Sequence, residues 1–249
     1  MNLRAAIVLS ILLSPSVARE ADVMDAAARS VIKVRAYKGT KLLKDASGLV
    51  RDDFEYGTGF VVDENLVATA KHTVVYEDGS HARSVQCWST AANRYEGCAV
   101  VYASPDRDVA VLWFPNAPKT RVSLRPDAAP PPRGTLLITG FPDVPYGRPR
   151  LMVTPGDLLE WNTESPGAGV LRERKNLAAT DAFALPGCSG SPVFSAEQTV
   201  IGMVVSVVQD AEGEWNGTTY FVKAADLLPA VKAAHAAVAK KKGYEFLER

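Results

Sequence analysis

Between residues 30 and 222 short apolar, often β-branched runs alternate with breaks rich in Gly, Pro, Asn and Asp. That pattern predicts many short strands. Residues 30–37 alternate with period two and predict the first. Residues 57–62 and 66–70 flank Asp63-Glu64-Asn65 and predict a hairpin, in which Gly59 lets neighbouring backbone approach closely. Further strands are predicted over residues 84–90, 95–103, 109–114, 135–141, 150–159, 193–194, 200–208 and 218–222. Residues 161–176, with Pro166-Gly-Ala-Gly169, read as a loop. Helical composition is confined to a short stretch over 21–28 and to a tail from Ala224 to about Lys242. Asp226 near the start of that tail and Lys240, Lys241 and Lys242 near its end suit the helix dipole.

Residues 125–134 hold four prolines, which cannot sit inside a sheet and favour a stiff, extended connector. The expected fold is therefore all-β: two tandem barrels, over about 30–124 and 135–222, followed by a terminal helix over about 224–242.

The first 18 residues carry one charge, Arg4, then an apolar run from Ala5 to Leu13 and the small residues Ser16-Val17-Ala18. A run this short cannot span a bilayer, which needs roughly 20 residues, so a cleaved export signal over 1–18 is expected. Residues 19–249 then hold 27 basic and 28 acidic side chains. This near-neutral balance lacks the basic footprint that nucleic-acid binding requires, and the expected localisation is secreted or periplasmic with no membrane span. No GxxxxGK[ST], HExxH or CxxC motif occurs, so neither a cofactor nor a metal is implied.

Pro186-Gly-Cys-Ser-Gly-Ser-Pro192 reads as a tight turn entering a strand. Such a turn can expose the Ser189 hydroxyl and aim two backbone N–H groups at one point. A hydroxyl nucleophile needs a base beside it, and the chain has three histidines. His235 lies in the helical tail and His81 in a polar turn, both read as surface positions. His72 directly follows the apolar strand ending Val-Ala-Thr-Ala-Lys and is the candidate base. A third group must fix the imidazole tautomer. Asp108 abuts the apolar run Val109-Ala-Val-Leu, whereas Asp106 lies in the preceding turn, so Asp108 is the candidate.

Thr69-Ala-Lys-His72, Asp108-Val-Ala-Val-Leu and Gly187-Cys-Ser-Gly-Ser-Pro192, in that order, resemble the three motif blocks of trypsin-like serine peptidases. The flanks are closer to the bacterial HtrA/Deg and glutamyl-endopeptidase branches. Gly57-Thr-Gly-Phe-Val-Val, Ala179-Thr-Asp-Ala182 and Tyr220-Phe-Val-Lys-Ala-Ala-Asp-Leu-Leu add to the likeness, which runs from about Ser30 to Val231. No PDZ-like peptide-binding module is expected after the helix. The resemblance implies two six-stranded barrels with the site between them, and a protein or peptide substrate. His72 and Asp108 would come from the first barrel and Ser189 from the second. The N–H groups of Gly187 and Ser189 would form the oxyanion hole, and Phe183 with Met203, Val204, Val205 and Ser206 would border an apolar substrate pocket. One position departs from the pattern: Cys188 stands where these families usually carry Asp or Asn. The rival readings are a catalytically latent binding protein, with the oxyanion loop collapsed around Cys188, and a serine esterase.

Cys87 and Cys98 are the other cysteines. A hairpin turning at Ala92-Asn93 would set them directly opposite, and in an exported protein a disulfide between them is expected.

Overall fold

The structure, a computed structural model, describes residues 25, 29–37, 43–44, 50–51, 54–76, 79–126, 135–143, 150–165, 174–209 and 215–241. The expected export signal, most of the helix over 21–28 and most of the Pro-rich connector lie outside these residues. The described elements are β1 (Val31–Tyr37), β2 (Leu43–Lys44), β3 (Val50–Arg51), β4 (Phe54–Asp63), β5 (Leu66–Thr69), α1 (Lys71–Val74), β6 (Ser84–Ser89), β7 (Arg94–Ala103), β8 (Ala110–Trp113), β9 (Thr135–Gly140), β10 (Met152–Ser165), β11 (Arg174–Thr180), β12 (Pro192–Phe194), β13 (Val200–Gln209), β14 (Trp215–Lys223) and α2 (Ala224–Lys240).

Two closed six-stranded antiparallel barrels result, ordered β1-β4-β5-β8-β7-β6 and β10-β11-β14-β13-β12-β9, as expected. Closure leaves neither sheet an unpaired edge. Each barrel fills its interior with its own apolar set. Ile32, Val34, Val67, Leu112 and Phe114 fill the first, and Leu136, Ile138, Val193, Ile201 and Phe221 the second. A third cluster joins them. Val31, Phe60, Leu66 and Val111 of the first barrel pack with Leu137, Phe194, Val200 and Met203 of the second and with Leu227, Ala230 and Ala234 of α2. Because this shared core lies between the barrels, side chains on facing loops meet at a fixed distance. Arg107 adds a polar tie, donating to Lys175 O at 2.8 Å and pairing with Asp226 of α2 at 3.2 Å.

Two expectations need correction and one gains a contact. First, β10 runs on to Ser165 and β11 begins at Arg174, so much of the segment read as a loop is paired strand, and residues 166–173 lie outside the described residues. Beyond Leu159 exposed positions alternate with half-buried ones, but on the half-buried side Trp161, packed against Phe221, is followed by the polar Thr163 and Ser165, so no run of alternating apolar residues marks the strand. Second, His235 is exposed, as expected, and in addition its Nε2 lies 2.9 Å from Asp63 Oδ2, fastening α2 to the first barrel. Third, the β6–β7 register pairs Cys87 with Glu96 and Val85 with Cys98, so the cysteines are diagonal rather than directly opposite. The hairpin closes over residues 90–93, with Asn93 at φ +52°, and this moves the register by two. The two Sγ atoms lie 3.3 Å apart as free, buried thiols.

Candidate active site

His72 is placed by a short turn of helix rather than by the end of a strand. β5 ends at Thr69, Ala70 remains extended, and α1 begins at Lys71. Lys71 Nζ donates to Ser104 O at 2.6 Å, tying this turn to the loop that presents Asp108. That loop is itself closed: Ser104 N–H donates to Val109 O and Arg107 N–H to Ser104 Oγ, at 2.9 and 3.2 Å. Asp108 is 5% exposed, held at the apolar margin of β8 as the sequence predicts. Its Oδ2 lies 2.7 Å from His72 Nδ1, and its Oδ1 accepts the His72 backbone N–H at 2.9 Å. A buried carboxylate with two such partners holds the proton on Nδ1 and leaves Nε2 as the basic nitrogen. Asp106 is exposed.

The Ser189 loop comes from the second barrel and is clamped against the first. Thr58 N–H of β4 donates to Ser189 O, and Gly190 N–H donates to Val204 O of β13, each at 2.8 Å. Gly190 has φ +90°, and a Cβ there would stand 2.0 Å from Thr58 O and 3.0 Å from Ala70 N. On the other side of the loop, a Cβ at Gly57 would touch both Thr73 and Ser189 O. Ser189 therefore lies against the segment that carries His72. No hydrogen bond joins Ser189 Oγ to His72 among those of the described residues. Serine–histidine bonds in unliganded sites are often longer than the hydrogen-bond limit and tighten with substrate.

Gly187, at φ +89°, is equally confined: a Cβ would meet Asp143 N at 2.4 Å and Phe141 O at 2.8 Å. Two contacts fix the orientation of its peptides. Asp143 N–H donates to Pro186 O at 2.8 Å, and Thr58 Oγ1 donates to Gly187 O at 2.9 Å. Thr58 Oγ1 also accepts the Phe141 N–H at 2.9 Å, so one buried hydroxyl joins the loop to β9 and β4. With both carbonyls occupied elsewhere, the N–H groups of Gly187 and Ser189 have no protein acceptor among the described residues. Two unpaired backbone donors beside a serine hydroxyl can stabilise an oxyanion.

Cys188 belongs to the second barrel's interior. The thiol is buried in the second barrel's core with Ala182, Ala184, Ile201 and Phe221, while its N–H donates to Leu185 O at 2.9 Å. Burial pushes its pKa up to about 11, against smaller lowering effects from the Leu185 backbone and the Ser191 hydroxyl. At this position the chain uses a small apolar filler where an acid or amide would need partners.

The expected pocket residues are distributed unevenly. Phe183 is 36% exposed, with its ring edge-on to Trp215 and the ring centroids 5.2 Å apart. Met203 and Val205 lie in the core between the barrels and Val204 inside the second barrel, all three buried. Ser206 is half-buried, as are Val207 and Val208 beyond it on β13. Sequence reasoning missed Thr58, Asp143 and Trp215. Thr58 was visible beside the glycines of its strand, but a hydroxyl that bonds across two barrels leaves no mark in spacing. Among the described residues no cluster of three or more His, Cys, Asp or Glu could hold a metal ion. None of the described helices is long and apolar enough to cross a membrane.

The family model of the trypsin-like peptidase domain matches residues 57–203, more than half of the chain, from β4 to β13. The chain belongs to this family. Its fold is similar to that of the Rv3671c protease from M. tuberculosis in its active form, with 20% identity and a TM-score of 0.68 over 88% of this chain and 86% of that one. It is also similar to Deg5, with 17% identity and a TM-score of 0.62 over 87% and 94%. For the HtrA-type protease AlgW with a tripeptide the figures are 17% and 0.64, over 85% of this chain and 62% of that chain.

Proposed function

We propose that the chain is an exported serine endopeptidase. Ser189 Oγ attacks the carbonyl of a peptide bond while His72 Nε2 takes its proton, and Asp108 holds the imidazole and offsets the charge that forms on it. The tetrahedral oxyanion sits against the N–H groups of Gly187 and Ser189. His72 then returns the proton to the departing amine. Water, deprotonated by the same histidine, releases the acyl group from Ser189. The acyl side of the substrate lies along the half-buried stretch of β13 from Ser206, with Phe183 and Trp215 offering an apolar rim.

The observation that carries this reading is the state of the Gly187 peptides. Asp143 N–H and Thr58 Oγ1 draw the Pro186 and Gly187 carbonyls away, and the Gly187 N–H has no protein acceptor among the described residues. A latent scaffold with a collapsed loop has no need of these two contacts, which supports the enzyme over the latent reading. Incubation of purified protein with an unfolded protein substrate, followed by mass spectrometry of the fragments, tests the reading. Internal cleavage lost in both Ser189→Ala and His72→Ala is expected. Intact substrate after incubation with folded protein contradicts it, and cleavage of esters alone assigns an esterase instead.

A further inference from the structure

Resting on the reading of the chain as a peptide hydrolase, this inference concerns what the leaving-group side of the site selects. The Ser189 loop is pinned between β4, through Thr58 N–H to Ser189 O, and β13, through Gly190 N–H to Val204 O. An acyl portion laid along β13 sends the leaving portion across the β4 side, past Thr58, Phe141 and Asp143.

That side carries a cation with no assigned task. Lys33 stands directly opposite Thr58 in the β1–β4 register, so the two side chains leave the same face of the sheet. Lys33 is 7% exposed, yet its ammonium makes no hydrogen bond or ion pair with any described group. It lies 4.6 Å from the centroid of the Tyr56 ring. A ring face holds a cation without using its three N–H donors. The covered part of the side chain is its stem, and the ammonium, with no protein acceptor among the described residues, keeps its three donors available to a ligand. Burial lowers the Lys33 pKa, and the Asp143 carboxylate beside the oxyanion loop acts against that and favours the charged form.

Two residues further along the same face, Arg35 lies 4.3 Å from the Phe54 ring centroid and 3.9 Å from that of Tyr95, and its Nε donates to Gln86 Oε1 at 2.7 Å. Two residues on a strand span roughly 7 Å, which is also the spacing of alternate side chains in an extended peptide. Lys33 and Arg35 therefore form a positive strip floored by aromatic rings, beginning next to the Gly187 loop.

We propose that Lys33, extended by Arg35, forms a leaving-group-side subsite for a carboxylate, supplied either by an Asp or Glu side chain or by the free C-terminus of a short leaving peptide. The carboxylate accepts the ammonium's unused donors. The competing account has Lys33 satisfied by the Tyr56 ring and by Asp143 at a distance, and it predicts indifference to acidic peptides.

The test uses the full chain carrying Ser189→Ala, which binds without turnover, and fluorescence anisotropy with labelled peptides identical on the acyl side. One pair differs by Glu against Gln on the leaving side, with amidated ends. A second pair differs by a free acid against an amide at the C-terminus. The expected result is tighter binding of the acidic member by about ten-fold or more, weakening as salt rises. The preference falls to within about two-fold in Lys33→Met and persists in Lys33→Arg. Lys33→Gln serves as a second neutral variant should Lys33→Met not fold. A preference confined to one pair assigns the source of the carboxylate. Equal binding of both members of both pairs, a preference that survives the neutral variants, or no binding by any peptide overturns the subsite. Reaction of Ser189 with a phosphonate is measured separately on the unmodified chain, so failure of the subsite and failure of the hydrolase reading give different results.

Discussion

Asp108 grips His72 twice: Oδ2 meets Nδ1 at 2.7 Å, and Oδ1 accepts the backbone N–H of the same residue at 2.9 Å. The imidazole is thereby fixed relative to its own main chain, and the carboxylate that fixes it is 5% exposed. One acid thus sets the position of the short helix α1, the orientation of the ring and its tautomer.

Asp108→Asn keeps the shape but replaces one acceptor with a donor. The amide oxygen can still take one of the two N–H groups, so the fold is expected to survive with a small loss of Tm. The ring nitrogen facing Ser189 is expected to carry the proton instead, and kcat/KM is expected to fall by about 10³–10⁴-fold. Circular dichroism melts with peptidase assays on the same preparation check both halves.

Thr58→Val is expected to act through one buried and one partly buried group at once. It deletes the donor to Gly187 O and the acceptor of Phe141 N–H. A buried polar group left unsatisfied costs about 1–3 kcal/mol, so a loss of about 2–4 kcal/mol is expected in denaturant unfolding. Activity is expected to fall further than stability explains, because the Gly187 peptide loses one of its two anchors. Thr58→Ser, which keeps the hydroxyl, is expected to restore most of it.

Cys188 is expected to behave as a core residue. Native protein at pH 8 is expected to resist alkylation at Cys188, read by peptide mapping, with full modification after unfolding. Its folded-state pKa of about 11 lies above the unfolded value of about 8.5. Its stabilising contribution is therefore complete below about pH 8.5 and is lost as pH rises towards 11. Cys188→Ala is expected to reduce that alkaline loss. Cys188→Asp, which installs the residue common in related sequences, is expected to cost at least about 3 kcal/mol, because the carboxylate would enter an apolar core.

The barrels and the histidine–aspartate pair were legible because each rests on local pattern. β-branched alternation, turn residues and an acid set against an apolar run are visible within a few residues of each other. What was not legible depends on register and on contacts across the chain. β10 continues past Leu159 where Trp161 is the only apolar residue on its half-buried side, so no hydrophobic alternation announces it. The cysteine register turned on whether the β6–β7 loop has two residues or four, which only the left-handed conformation of Asn93 and the strand pairing decide. Thr58 bonds to residues 83 and 129 positions away. Lys33 reads in sequence as an ordinary alternating polar position and becomes notable only when the pairing sets it opposite Thr58 and against the Tyr56 ring.

The most direct test of the central claim is labelling of the purified chain with a fluorophosphonate probe, read by intact mass and peptide mapping, with Ser189→Ala as the control. The reagent needs an activated hydroxyl and donors for the oxygen that becomes negative, which are the two properties assigned here to Ser189 and to the N–H groups of Gly187 and Ser189. Stoichiometric adduct on Ser189, absent from the variant and strongly slowed in Asp108→Asn, is the predicted result. Folded protein that gives no adduct, or an adduct on another residue, would contradict the assignment of Ser189, His72 and Asp108 as a working triad.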